Sequence, residues 1–194
     1  MRGSTQILPK THPNLLNADQ TILVVIDMQE PFLRTIHERE RLLQNVRILM
    51  QGANILRVPI VATTQYAEKM GEIIPELKRL LPAQLPPFDK MTFDCLGSLG
   101  FDSEIRRSGR RQVLLCGVET HICVSQTAHG LAAAGLQPHI AADAVSSRSE
   151  TNWRFGLEKM RQCGTLISSV EMALYELLHQ SGTEDFREIL KLIK

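Results

Sequence analysis

Residues 21–26 read TILVVI, an unbroken apolar run rich in β-branched side chains. Such a run predicts a strand buried on both faces, as strands are in a parallel sheet. Later runs predict further strands at 58–63, 112–116, 139–142 and 165–167. Helical patterns lie between and after them, at 42–56, 121–134, 150–162, 168–179 and from 183 onward. This alternation predicts an α/β fold, namely a three-layer αβα sandwich around an open, mainly parallel six-stranded sheet of Rossmann-like type.

The stretch 65–87 interrupts the alternation. It contains Gly71 and four prolines, and we expect one short helix in it, from about Glu76 to Leu81. A long irregular segment of this kind is typical of a loop built over a binding site. Two capping-box patterns, Ser147 to Glu150 and Ser168 to Glu171, predict where the last two helices before residue 180 begin.

Length and composition favour one domain over residues 1–194, with 1–20 as an irregular N-terminal extension. The formal net charge of +1 disfavours a broad surface for nucleic acid or anionic lipid. We interpret the arginine cluster at 106–111 as a solvated helix end and loop. No apolar run approaches the roughly 18 residues of a membrane span. We expect no secretory signal, and the widely spaced cysteines favour a reduced, cytoplasmic protein.

The strand ends indicate where the chemistry lies. Ligands of parallel α/β sheets bind beyond the carboxyl ends of the strands, near the point where strand order reverses. Asp27 follows the first strand, Thr64 and Gln65 follow the second, and the segment 117–123 follows the strand at 112–116. Residues of this rim are therefore the candidates for a site that takes a small-molecule substrate.

Cys123 lies at the predicted start of a helix, directly after a strand and a glycine-containing turn. The free N–H groups and positive dipole end of a helix start stabilise a thiolate, so we expect a lowered thiol pKa and fast alkylation at neutral pH. The same amides can receive an oxyanion. An inert core thiol is the alternative reading of Cys123, and it is the reading we favour for Cys116 and Cys163. Cys95 lies in a loop and receives no role.

Asp27 and Lys90 are the two candidate charges of the site. A carboxylate at a strand tip is a candidate base, and a loop-capping aspartate is the alternative. Lys90 lies between Phe88 and Phe93 after a proline-rich stretch, where it could neutralise a thiolate and a carboxylate together. A solvated lysine is the alternative there.

Three motifs together resemble the isochorismatase-like hydrolases. These are IDMQEPF (26–32), the lysine of FDKMTF (88–93) and GVETHICV (117–124), in the order found in the family, with further likeness through ADAVSSRS (142–149). Thr63 to Tyr66, together with the GVETH stretch, resembles the isochorismatase domain-containing proteins within that superfamily. The resemblance covers nearly the whole chain after Thr21.

The resemblance implies roles for these residues. Asp27 would take the thiol proton, Lys90 would hold both charges, and Cys123 would attack a carbonyl and form an acyl-enzyme. The backbone N–H groups of Glu119 and Cys123 would receive the oxyanion, with the Glu119 amide turned by a cis peptide bond after Val118. Four nearby residues are candidates for the substrate pocket: Gln29, Phe32, Gln65 and Tyr66.

Differences between this sequence and related enzymes narrow the predicted cofactors and substrates. Nicotinamidases carry a metal-binding Asp-x-His where this chain has Thr64-Gln65-Tyr66, and no nucleotide-binding glycine motif occurs, so we expect neither metal nor cofactor. True isochorismatases, which hydrolyse a vinyl ether, lack the cysteine, so Cys123 favours C–N bonds in a small amide, imide or ureido compound. We interpret His121 as a turn or subunit-contact residue, with a catalytic role as the alternative.

Other functional classes stay open at this point. A thiol redox role for Cys123 would need a resolving cysteine, and no neighbour in the sequence supplies one. A non-catalytic or regulatory interaction protein that keeps the hydrolase fold is the other alternative. We also expect a homo-oligomer, a dimer or tetramer, on family resemblance and on an apolar C-terminal helix face formed by Phe186, Ile189, Leu190 and Ile193.

Overall fold

The computed structural model describes residues 12–194. Residues 1–11 of the expected N-terminal extension lie outside this range, and 12–20 contain only turns and irregular chain. The strands are β1 (Thr21–Ile26), β2 (Ile60–Gln65), β3 (Phe88–Lys90), β4 (Gln112–Val118), β5 (Gln137–Ser146) and β6 (Leu166–Ser168). The helices are α1 (Glu30–Leu33), α2 (Arg39–Ile55), α3 (Ala67–Met70), α4 (Pro75–Lys78), α5 (Leu99–Arg107), α6 (Ser125–Ala133), α7 (Glu150–Gln162), α8 (Val170–Leu178) and α9 (Glu184–Ile193).

All six strands are parallel and lie in the order β3-β2-β1-β4-β5-β6. The predicted αβα architecture is confirmed. β1 lies at the centre and pairs with β4 on one side and β2 on the other, so strand order reverses between β1 and β4. Every residue of β1 is buried, as its unbroken apolar run predicts.

Two apolar cores cover the two faces of the sheet. Leu23 and Val25 of β1 face the core formed with α2, α8 and α9, whereas Ile22, Val24 and Ile26 face the core formed with α5, α6 and α7. This division follows from the alternation of side chains along a strand. Consecutive residues at the carboxyl end of a strand therefore also point to opposite faces of the sheet.

Gly117 of β4 lies against the backbone of Ile26 at the end of β1. Its φ of 111° lies in a region that favours glycine, and an added Cβ would collide with the carbonyl oxygen of Ile26. The carboxyl ends of the two central strands therefore depend on a residue with no side chain at this position.

Several boundaries differ from the predictions. The segment 65–87 holds two short helices, α3 and α4, instead of one, and β3 was not predicted. The N-caps of α7 and α8 are Ser149 and Ser169 rather than Ser147 and Ser168, since their hydroxyls accept the N–H groups of Asn152 and Met172.

The apolar face of α9 is not free. Ile189 is completely buried in the core that includes α2, and Ile193 packs against the same core. Phe186 makes an edge-to-face contact with Tyr175 of α8. This apolar face, on which the sequence-based expectation of self-association was partly based, is therefore largely covered by α2 and α8 within the same chain.

Candidate functional site

Two rim residues adopt left-handed backbone conformations. Asp27, directly after β1, has φ 50°, and Tyr66, directly after β2, has φ 49°. This region is uncommon for residues other than glycine, and such residues concentrate at functional sites. The rim is thus shaped to present particular side chains at the ends of adjacent strands.

Asp27 and Lys90 form a buried ion pair. Lys90 Nζ donates to Asp27 Oδ2 at 2.7 Å, and the two side chains are 0% and 2% exposed for Lys90 and Asp27 respectively. Lys90 reaches this position because β3 pairs with β2, Lys90 opposite Gln65. Burial lowers the pKa of Lys90, but the charge of Asp27 and its hydrogen bond oppose this, and the net shift is upward. The ammonium therefore stays charged.

Gln65 and Gln29 hold this pair in place. Gln65 Oε1 accepts a second hydrogen bond from Lys90 Nζ at 2.6 Å, and Gln65 Nε2 donates to the carbonyl of Met91. Gln29 is completely buried; its oxygen accepts the N–H of Gln65, and its Nε2 donates to the carbonyls of Gln65 and Gly71. The prediction that Gln29 lines a substrate pocket was therefore wrong, because its amide is fully used in joining strand ends.

Phe32 and Tyr66, the other pocket candidates, have different surroundings, and the N–H of Tyr66 donates to the carbonyl of Lys90 at 3.1 Å. Phe32 packs against the core on the α2 side, and the ring of Tyr66 is covered by the Lys69 ammonium at 5.1 Å. A cavity of about 320 Å³ lies beside β2 and β3, lined in part by Thr64 and Asp89. Because side chains alternate along a strand, it opens on the opposite face from Lys90.

Cys123 lies in a π-helical turn, Thr120–Val124, that leads directly into α6. Turns of this kind are frequent at functional sites. The residue is 6% exposed, and burial followed by the charge of Asp27 raises the pKa of its thiol, while Lys90 opposes the shift. This direction is opposite to the lowered pKa expected from the helix start, because burial and the Asp27 carboxylate act against the ammonium.

Thr63 and Cys95 also belong to this cluster, although the sequence did not predict a role for either. Thr63 Oγ1 donates to Asp27 Oδ1 at 2.8 Å and lies 3.8 Å from the sulfur of Cys95. Since the one hydroxyl proton goes to the carboxylate, the Cys95 thiol is the donor in the second contact. Burial and the Asp27 charge raise the pKa of Cys95 to about 12, in keeping with a protonated thiol.

Glu119 is tied to Arg148. Its carboxylate accepts the backbone N–H of Arg148 at 2.8 Å and two guanidinium bonds, from Nε at 3.1 Å and Nη2 at 2.5 Å. Burial raises the pKa of Glu119, but the hydrogen bonds and charge of Arg148 outweigh this, and the net shift is downward. The peptide bond between Val118 and Glu119 is cis, as the resemblance implies.

His121 faces the end of β5. Its Nδ1 lies 2.9 Å from the hydroxyl of Ser147. Burial lowers the pKa of the imidazole, against the opposing charge of Glu119. The ring is therefore engaged with the end of β5.

No set of three His, Cys, Asp or Glu side chains within residues 12–194 is placed to hold a metal ion. None of the helices in this range is long and apolar enough to cross a membrane.

The sheet order defines the chain as a parallel α/β protein, and the candidate site lies at the carboxyl rim of the central strands. The family model described as the isochorismatase domain matches residues 21–172. The chain therefore belongs to the isochorismatase family, whose members include hydrolases.

Relatives and solved structures agree with this assignment. The chain is 36% identical over 182 residues to the secreted isochorismatase effector Isc1 of Phytophthora sojae, covering 90% of this chain and 84% of that protein. It is 35% identical to isochorismatase domain-containing protein 2 of Danio rerio, covering 92% and 89%. A Caenorhabditis elegans structure described as MAR1 ribonuclease superposes with a TM-score of 0.85 at 34% identity, covering 92% of both chains.

The fold alone is shared with a more distant structure. YcaC of Escherichia coli, described as an octameric hydrolase of unknown specificity, superposes with a TM-score of 0.87 at 20% identity, covering 94% of this chain and 92% of that one.

Proposed function

We propose that this protein hydrolyses a C–N bond in a small amide, imide or ureido compound through Cys123. The observation that carries the proposal is the buried Asp27–Lys90 pair, whose charges both act on the Cys123 thiol at the carboxyl rim. Perturbed titratable groups of this kind, buried with named charge partners, mark functional sites.

The residues have distinct roles in the proposed reaction. Asp27 accepts the thiol proton while the sulfur of Cys123 bonds to the substrate carbonyl carbon. The carbonyl oxygen takes up negative charge and is held by the N–H groups of Glu119 and Cys123. Lys90 stays charged throughout and neutralises first the carboxylate and then the thiolate. The C–N bond breaks, the leaving nitrogen takes the proton, and water hydrolyses the thioester.

Because the thiol pKa is raised, the proposed reaction needs a base near the sulfur. A thiol that is protonated at neutral pH cannot attack a carbonyl until a neighbour removes its proton. Asp27 is the carboxylate acting on Cys123, and it is held on both oxygens by Thr63 and Lys90.

The test is a screen of the purified full chain against small amides, imides and ureido acids, with ammonia or amine release as the readout. Cys123→Ala should fold and lose all turnover. Cys116→Ala is the matched control, because Cys116 is also buried but bonds only to Val24 in β1. Turnover that survives Cys123→Ala would contradict the proposal. A short oligoribonucleotide belongs in the panel, and its cleavage in place of the amides would also overturn it.

We further propose that the protein needs no metal or nucleotide cofactor, binds no nucleic acid and assembles as a homo-oligomer. Exposed Met91, Phe93, Leu99 and Phe155 side chains support self-association. Light scattering over micromolar concentrations should return more than the monomer mass, and a monomer throughout would contradict it.

The proposed location is the cytoplasm, supported by four free cysteines. One relative is named a secreted effector, so the location needs a direct test by fractionation of the source cells. Finding the protein outside the cells would overturn the proposed cytoplasmic location.

A further inference from the structure

Glu119 is held at its side chain and at its carbonyl. Besides the three bonds from Arg148, its carbonyl oxygen accepts the N–H groups of Ile122 at 3.0 Å and Val124 at 3.3 Å. Within residues 12–194, by contrast, the N–H of Glu119 donates no hydrogen bond. The free donor therefore lies on a residue that is otherwise fixed, four positions before Cys123.

Arg148 supplies most of this fixation. Glu119 is a buried carboxylate, with 7% of its side chain exposed, whereas the Arg148 side chain is 59% exposed. A buried carboxylate that loses its hydrogen bonds moves toward water or toward another donor. The guanidinium gives the carboxylate two bonds in a planar fork, a geometry that a lysine ammonium cannot reproduce.

We propose that Arg148 is a positioning residue for the reaction, acting through the Glu119 carboxylate to hold the Glu119 N–H where the oxyanion forms. This inference rests on the proposed function, since it needs Cys123 to attack a carbonyl. Arg148 itself touches no reacting atom. Its removal therefore weakens stabilisation of the oxyanion and leaves the thiol chemistry unchanged.

Two small reagents separate these effects. With p-nitrophenyl acetate, the sulfur gives its proton to Asp27 and bonds to the acetyl carbon, and the carbonyl oxygen takes up negative charge. The C–O bond to the leaving group then breaks, and nitrophenolate departs with the electron pair. With iodoacetamide, the sulfur displaces iodide at the methylene carbon, and no charge develops on oxygen. The ratio of acetylation to alkylation of Cys123 therefore reports on the oxyanion site alone. The measurements use a Cys163→Ser background, because Cys163 is an exposed thiol.

Arg148→Met should lower this ratio by about tenfold or more, because misplacing one oxyanion donor costs a substantial part of its contribution. Its iodoacetamide rate should stay within about twofold of the parent, since that reaction builds no oxyanion. Arg154→Met is the matched control. It removes the same charge from an exposed arginine whose partner is Glu150, and it should leave the ratio unchanged.

Two further variants test the route. Glu119→Gln should lower the acetylation-to-alkylation ratio as Arg148→Met does. The double variant should lower this ratio no further than either single variant, because both substitutions remove the same Arg148–Glu119 contact. Arg148→Lys keeps the charge, and its ratio should lie between those of Arg148→Met and the parent. If Arg148→Met does not fold, Arg148→Lys is measured in its place.

The outcomes are distinguishable. If Cys123 of the parent shows no higher ratio than N-acetylcysteine, the proposed function itself fails. If the parent ratio is high and Arg148→Met leaves it unchanged, only the role of Arg148 is overturned. Equal losses in both rates would also overturn it, because they would indicate a structural effect on the thiol.

Discussion

Lys90 Nζ lies 2.7 Å from Asp27 Oδ2, and this is the only ion pair among residues 12–194 in which both side chains are almost completely buried. A buried pair is a weak source of net stability, because desolvation of both charges offsets their attraction. Loss of one partner is a different matter, since the remaining charge is then buried without compensation.

Lys90→Met should therefore lower the free energy of unfolding by about 3–5 kcal/mol, as measured by urea denaturation. The double variant with Asp27→Leu should recover part of that loss, because it removes both charges. Arg34→Ala breaks an exposed pair with Glu30 and should cost less than about 1 kcal/mol. Equal losses for Lys90→Met and Arg34→Ala would contradict the burial of the pair.

Alkylation of Cys123 should keep accelerating with pH beyond the value near 8.5 at which a free thiol titrates. The reason is the raised pKa of Cys123, due first to burial and then to the charge of Asp27. Asp27→Asn removes that charge and should move the profile to lower pH, whereas Lys90→Met removes the opposing ammonium and should move it higher. Iodoacetamide labelling with peptide mapping measures the three profiles. A parent profile that levels off below pH 8 would refute this account.

His139 should make stability fall as pH decreases from about 6.5 to about 4. Burial lowers the pKa of His139 to about 4, so between the two values the unfolded chain binds a proton that the folded chain does not. The loss is at most about 1.4 kcal/mol for each pH unit. Its Nε2 is buried and has no hydrogen-bond partner within the described residues.

His139→Leu should flatten this pH dependence and raise the melting temperature at pH 5 more than at pH 8, because the replacement neither titrates nor leaves a buried polar atom unpaired. Thermal unfolding at the two pH values is the measurement. An equal change at both would mean that His139 does not titrate in the predicted range.

Gly117→Ala should destabilise the protein by several kcal/mol, because the added methyl group meets the backbone of β1. Gly135→Ala is the matched control, since Gly135 also has a positive φ, 78°, but nothing lies within 4 Å of an added Cβ. The Gly135→Ala control should lower the free energy of unfolding by only about 1–2 kcal/mol, the cost of placing alanine in a left-handed backbone conformation. Comparable losses in the two variants would show that the close approach of β4 to β1 relaxes easily.

The central strands were predictable because a parallel strand buried on both faces carries its signal within its own residues. β3 carries no such signal. Its three residues, FDK, include two charges, and it is a strand only because Thr63–Gln65 of β2 pair with it. The family resemblance is therefore what assigned Lys90 to the site. Its position in the structure depends on the pairing of β3 with β2.

The local rule for a helix start failed at Cys123 for a similar reason. A helix dipole alone lowers a thiol pKa, but the pKa of Cys123 shifts upward because of burial and of Asp27, which is distant in sequence. Cys95 and Thr63 were missed because nothing in their own sequence neighbourhoods indicates a contact with Asp27. Such contacts exist only once the sheet has formed.

The strand order also determines when the site comes into existence. β1, β2 and β3, with Asp27 and Lys90, form one half of the sheet and are complete in the chain by residue 90. Cys123 belongs to the other half and reaches the charges only when β4 pairs with β1 from Thr21–Gln112 to Ile26–Gly117. Because a nascent chain leaves the ribosome with its N-terminal part first, the two charges emerge before Cys123. Labelling of ribosome-bound chains of increasing length would therefore show the perturbed thiol chemistry only after the second half-sheet has docked.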